Sequence, residues 1–213
     1  MSHFALKKCV SLGYKVVSLS DTRGTLYKPD GFTSEDVLLI EQHKLRSSIP
    51  LDKLFGMSVI GKAQFFPGLA PWDLDVPMDV ALPSAFQNEV DADQMKKMTG
   101  NGCRIVVEGA NMPLTNGAID VLKGVAGNLY IPGKAGNAGG VACSGLEMMQ
   151  NAGFAQWTSE EVDAKLKGIM ETIFENISTT AAKYGRNNDF QFGANVAGFM
   201  KVAQAMEALG EFL

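Results

Sequence analysis

Between Ile105 and Met148 the chain places two side-chain amides and a cluster of glycines where a ligand could be held. The run Ile105-Val-Val-Glu-Gly-Ala-Asn-Met-Pro113 is a short apolar strand that ends in small residues and Asn111. A second apolar strand, near Asn128 to Ile131, runs into Pro132-Gly-Lys-Ala-Gly-Asn-Ala-Gly-Gly140. A helical pattern follows each strand. In α/β folds, strand ends that open onto helices are where flat cofactors sit. Gly133, Gly136, Gly139 and Gly140 fall with Asn137 inside eight residues, so backbone can approach a ligand where a Cβ would block it. A carboxamide offers both a donor and an acceptor, which suits it to such a site. The competing reading is a turn role, because Asn tolerates left-handed backbone.

These residues need a scaffold, and the hydrophobic pattern supplies one. Phe4, Ala5, Leu6, Cys9, Val10 and Leu12 recur at helical spacing, and Gly13 closes that helix. Lys15 to Ser20 reads as a strand ending at Asp21, and Thr22 to Thr25 as a turn. Thr33-Ser-Glu-Asp36 is a capping start for a helix through His43. Residues 46–75 are broken by Pro50, Pro67 and Pro71 and predict mixed short pieces. Met78 to Pro83 reads as a buried strand, Asn88 to Met98 as a helix, Arg104 to Val107 as a strand and Asn116 to Lys123 as a helix. Alternating strands and helices predict a mostly parallel sheet with helices on both faces. Such a sheet would have a strand before residue 1, and without it we expect a marginal monomer with an exposed edge.

After Gly153 the pattern turns wholly helical. Thr158 and Glu161 form a capping box, and Val162, Leu166, Ile169, Ile173, Ile177 and Ala181 form one stripe. Gly185 to Asn188 is a loop. A last helix carries Val196, Phe199, Met200, Ala203, Met206 and Leu209, which read as core or an oligomer contact. The expected division is a dinucleotide-binding part over 1–153 and a helical segment over 154–213 packing on it.

Composition narrows the function classes. The 213 residues are 46% hydrophobic, enough for a packed core, and the net charge is −4. No basic patch suits nucleic acid, and no apolar run is long enough for a membrane span. Cys9, Cys103 and Cys143 are an odd number in apolar settings, which favours buried reduced thiols. Two histidines, His3 and His43, are too few for a metal cluster, so no metal is expected. The N-terminus lacks the order of a signal peptide, and a cytoplasmic location is expected.

Five runs, in order, resemble one family closely. They are Val16-Val-Ser-Leu-Ser-Asp-Thr-Arg-Gly-Thr25, Val80-Ala-Leu-Pro-Ser-Ala-Phe-Gln-Asn-Glu89, Glu108-Gly-Ala-Asn-Met-Pro113, Lys134 to Val141 with Ser144-Gly-Leu-Glu-Met148, and Gln191-Phe-Gly-Ala-Asn-Val-Ala-Gly-Phe199. The family is the glutamate dehydrogenases, in their NADP-dependent hexameric branch. The resemblance implies a Rossmann-like α/β domain lacking its first strand and Gly-x-Gly-x-x-Ala loop, followed by C-terminal helices. It also implies that the substrate domain, with the family's catalytic lysine and aspartate, lies outside these residues, so the chain alone is expected to be inactive. The complete enzyme interconverts L-glutamate with 2-oxoglutarate and ammonia, and a homo-hexamer is the family's expected assembly. A non-catalytic binding or assembly module built on the fold, or part of a relative acting on another amino acid, are the alternatives.

The same resemblance gives residues their expected roles. Ser20, Asp21 and Arg23 stand near an adenosine ribose. An acid there favours NAD, but Arg23 can pair with a 2′-phosphate, so NADP is expected over NAD. The competing reading of Ser20 and Asp21 is turn stabilisation. Gln87 and Asn88 would line the cofactor groove, or cap a helix. Asn111 and Asn137 would meet the nicotinamide side. Val141 and Ser144 would form the pocket for the substrate side chain, with Ser144 bonding the distal carboxylate. The alternative for Ser144 is a back-bonded helix serine. Cys143 departs from the small or hydroxyl residue expected there. Phe86 stands where family members carry threonine, which removes one polar cofactor contact.

Overall fold

A computed structural model describes residues 2–46, 48–57 and 60–210. Its first unit grows from a tight hairpin. Strand β1 (Ser18–Asp21) pairs antiparallel with β2 (Gly24–Tyr27), and Asp21 faces Gly24 across a two-residue turn. The Asp21 carboxylate accepts from the Arg23 N–H at 2.9 Å and closes this turn. β3 (Gln64–Pro67) adds antiparallel to the far side of β2. Gly24 is obligatory here. Its φ is +144°, and a Cβ would lie 2.2 Å from the Phe66 carbonyl oxygen across the β2–β3 pairing. The sequence reading had only a turn over 22–25. The second strand was hidden because its pairing to β3 crosses about forty intervening residues.

Helices α1 (Ser2–Ser11), α2 (Ser34–Ile40) and α3 (Leu51–Gly56) cover this sheet. Leu6, Leu19, Leu26, Val37, Ile40, Leu51 and Leu54 form its core. The expected capping box of α2 is present, with Thr33 and Asp36 bonding reciprocally. The helix then loosens into a π-helical turn over Glu41–Arg46. Asp36 does more than cap, because it forms a buried ion pair with Lys28.

The second unit is parallel. β4 (Val80–Ala81), β5 (Ile105–Val107) and β6 (Leu129–Ile131) lie in that order and in parallel register. Helices α4 (Ala92–Gly100) and α5 (Asn116–Gly124) cross between them. Val90, Met95, Met98, Val106, Leu114, Ala118, Leu122 and Tyr130 fill the space between. The helix expected from Asn88 starts later, at Ala92. Asp91 caps it by accepting from the N–H groups of Asp93 and Gln94, while Asn88 sits at φ 56°, outside helical geometry. The α/β reading therefore holds, with a parallel half and an added antiparallel half among the described residues.

After β6 come α6 (Gly133–Gly136) and α7 (Gly139–Ala152), then the long α8 (Ser159–Lys183) and α9 (Phe190–Leu209). α8 starts at the expected Thr158–Glu161 capping box. Ile177, Phe190 and Ala135 form a third core that docks the α8–α9 pair on α6 and β6. The crossing is very close at Gly193, where a Cβ would lie 2.0 Å from the Ile177 carbonyl oxygen. The far half of α9, read as core or an oligomer contact, is not core among the described residues. Phe199, Val202, Met206 and Leu209 are exposed, because nothing in the described chain packs on that end.

Two outcomes follow from this packing. Gly193→Ala should cost about 3 kcal/mol in urea denaturation, because the two helices must separate to admit a methyl group. For Asp36, burial alone raises the carboxyl. The Lys28 and Thr33 hydrogen bonds outweigh it and hold the group below the usual carboxylate range. A lowered folded value stabilises above the unfolded value of about 4 and is lost as pH falls through the folded one. Asp36→Ala should cost about 3–5 kcal/mol at neutral pH by stranding Lys28, and should flatten the acid limb of stability below about pH 4.

Candidate functional site

The ends of β4, β5 and β6 are sewn together by backbone and one buried acid. The Pro83 carbonyl after β4 accepts from the N–H groups of Gly109 and Ala110, at 2.9 and 3.1 Å. A Cβ on Gly109 would lie 2.4 Å from Ser84 Oγ, so Ser84 would have to turn to admit one. Glu108, at the end of β5, is only 3% exposed. Its Oε2 accepts from the Gly133 N–H at 2.6 Å, and its Oε1 from the Leu114 N–H at 3.4 Å. Burial first, and then the neighbouring negative charge, push the Tyr130 phenol far above its ordinary value.

This clamp puts the two amides together. Asn137 Nδ2 donates to Asn111 Oδ1 at 2.7 Å and to the Ala110 carbonyl at 3.0 Å. Asn137 Oδ1 and Asn111 Nδ2, one acceptor and one donor, make no hydrogen bond among the described residues and are left for another partner. The glycines allow the approach. A Cβ on Gly133 would lie 2.9 Å from the Ala110 carbonyl oxygen, and one on Gly136 would lie 2.8 Å from the Glu108 carbonyl oxygen. The glycine-rich stretch folds into the single turn of α6, with Asn137 as its C-cap residue.

The other residues singled out from the sequence fall into three groups. Gln87 and Asn88 lie on an exposed loop after β4, and the Asn88 N–H donates to the Met112 carbonyl at 2.9 Å, one residue from Asn111. Val141 and Ser144 lie three residues apart in the first turns of α7, both exposed. Ser144 Oγ donates to the Gly140 carbonyl at 3.3 Å, the back-bonded geometry that was the alternative for it. Its lone pairs and a rotated hydroxyl remain available. Ser20, Asp21 and Arg23 form a separate group at the hairpin tip, where no hydrogen bond joins them to the amide pair. Asp21 serves the turn, and its Oδ2 also accepts from the Leu51 N–H that opens α3, at 3.0 Å.

Several site-building residues escaped the sequence reading. Glu108 was the most legible, since an acid ending an apolar strand must find donors when buried. Glu89 accepts from the Ala85 and Phe86 N–H groups and shapes the loop after β4, and burial raises its carboxyl. Lys134 bonds Asn195 and ties α6 to α9. Nothing in either local sequence announces that pair. Among the described residues, no group of acids, histidines and cysteines could hold a metal ion. The three cysteines are unpaired, and no helix is long and apolar enough to cross a membrane.

Parallel strands joined by crossover helices, with glycine-rich openings at their ends, define a Rossmann-like α/β protein. The comparisons sharpen that class. The chain belongs to the Glutamate/Leucine/Phenylalanine/Valine dehydrogenase family, whose sequence profile matches residues 1–210. It is 44% identical over 209 residues to an NADP-specific glutamate dehydrogenase of Giardia intestinalis, covering 97% of this chain and 45% of that protein. It is 43% identical to one from Haemophilus influenzae, covering 100% and 46%. The structure of a Plasmodium falciparum glutamate dehydrogenase superposes with a TM-score of 0.91 at 44% identity, covering 99% of this chain and 44% of that one. The chain thus spans about half the length of the curated relatives it matches.

The clamp makes a direct prediction. Glu108→Ala strands its two backbone donors and should cost about 3 kcal/mol or more in chemical denaturation. It should also shift the side-chain amide NMR signals of Asn111 and Asn137.

Proposed function

We propose that the chain forms the cofactor side of an NADP-dependent glutamate dehydrogenase. The observation that carries this is the Asn111–Asn137 pair. Its uncommitted acceptor and donor match the complementary atoms of a nicotinamide carboxamide. The fit is supported by Gly133 and Gly136, which bring the two strand ends closer than any side chain would permit. Ser20, Asp21 and Arg23 would hold the adenosine end, with Gln87 and Asn88 along the groove between. NADP when bound supplies or accepts the hydride exchanged with the substrate Cα.

The protein's own groups bind and orient. Glu108 fixes the two amides, so they meet the ligand without reorganising. Val141 and Ser144 present an apolar wall and a hydroxyl on one face of α7, which suits a substrate side chain ending in a carboxylate. An enzyme for apolar amino acids would gain nothing from that hydroxyl. The steps that move water and protons belong to a lysine and an aspartate in the family's substrate domain. L-Glutamate, water and NADP would yield 2-oxoglutarate, ammonia and NADPH. In this reading residues 1–153 serve the dinucleotide and 154–213 brace them, within a homo-hexameric cytoplasmic enzyme of the complete length.

The test is a chimaera. The part of the Haemophilus influenzae relative outside the matched region is joined to this chain and assayed with 2-oxoglutarate, ammonium and NADPH. The chimaera should turn over and the 213-residue chain alone should not. Asn137→Ala should lower kcat/KM by about 100-fold, roughly the effect of losing one oriented polar contact. Ser144→Ala should raise the KM for 2-oxoglutarate by about tenfold and leave the apolar oxo acid of leucine unaffected. A folded chimaera that prefers the leucine-derived substrate would overturn the assignment.

A further inference from the structure

Arg23 is the most constrained exposed cation at the hairpin tip. Its N–H is held by Asp21, its carbonyl accepts from the Gly68 N–H at 2.8 Å, and the next residue is the obligatory Gly24. Its side chain is fixed as well. Arg23 Nη1 donates to Asp52 Oδ2 at 3.1 Å, in an ion pair where Asp52 is half as exposed as Arg23, at 27% against 54%. Asp52 follows Leu51, whose N–H is bonded by Asp21, so the same acid orders the turn and the start of α3. Asp52 Oδ1 is buried and makes no hydrogen bond among the described residues. A carboxylate in that position depends on the guanidinium for charge compensation, which ties the two side chains more firmly than an open surface pair.

We infer that Asp52 is a positioning residue for cofactor choice: it aims the Arg23 guanidinium at the 2′-phosphate of the dinucleotide. The inference rests on the proposed placement of the adenosine end beside Ser20, Asp21 and Arg23. Its physical basis is rotamer entropy. A free arginine must be ordered on binding, whereas one already held through a single Nη keeps its remaining N–H donors in a fixed fork for a phosphate. Asp21 is engaged in the fold, with its two oxygens accepting from the Arg23 and Leu51 N–H groups, which offset part of its charge. The acid that ends β1 thereby acts as a brace for the cation and not as a receptor for the ribose 2′-hydroxyl.

The experiment titrates the 213-residue chain with adenosine 2′,5′-bisphosphate and with adenosine 5′-monophosphate, followed by NMR. The readout is the ratio of the two affinities. The wild-type chain should prefer the bisphosphate by about tenfold, and Arg23→Ala should abolish the preference. Asp52→Ala should cut the ratio about threefold while leaving monophosphate affinity unchanged. Asp52→Asn, which keeps an oxygen for Arg23, should recover part of it and guards against a folding defect in the alanine variant. A loosened structure would weaken both ligands together. If Arg23→Ala lowers the ratio and Asp52→Ala does not, or if both ligands weaken equally, the role of Asp52 is overturned and the site stands. If the wild-type chain shows no preference, the placement of the adenosine end fails, and this inference with it.

Discussion

A buried carboxylate must be given donors, and that requirement organises the ends of the parallel strands in this protein. Glu108 sits at the end of the central parallel strand with almost no access to water. Leaving it unpaired would cost several kcal/mol. The donors it finds come from other segments: the Gly133 N–H after β6 and the Leu114 N–H before α5. One acid thereby fixes two strand ends and the chain entering a helix. The glycines at 133 and 136 serve the same approach, since a Cβ on either would press on the backbone after β5. The paired amides at the surface are the visible result of a constraint set below them.

The antiparallel half has its own organising acid. Asp21 closes the hairpin turn through the Arg23 N–H and reaches the start of α3 through the Leu51 N–H. The apolar core beneath, from Leu19 and Leu26 to Leu51 and Leu54, holds these two segments in contact. Packing and the carboxylate support each other here. The core brings the helix start near the hairpin, and the acid fixes its direction. Arg23 inherits a defined position from both.

The helical end shows where burial runs out. α8 and α9 pack tightly near Gly193 and Ile177, and Phe174 meets Phe190 in a tilted pair with ring centroids 5.3 Å apart. Beyond that crossing α9 continues for four turns with large apolar residues facing outward. Periodicity could identify the stripe but not its burial, because burial depends on a neighbour that periodicity does not contain. The same limit applied at Asn88. Helix propensity extended the helix back to that residue, while the Asp91 cap and the Asn88 bond to Met112 set the real boundary.

Local chemistry was legible from residues alone. Thr33 with Asp36 and Thr158 with Glu161 announced two helix starts, because a capping box uses only neighbours in sequence. The ordered runs announced the family. Tertiary structure decided what needed partners from afar. It set the β2–β3 pairing, the two backbone donors on Glu108, the direct bond between the amides 26 residues apart, and the Arg23–Asp52 pair across 29 residues. The reason is physical. A side chain's type fixes which bonds it must make, but only the folded backbone fixes which distant group is close enough to make them.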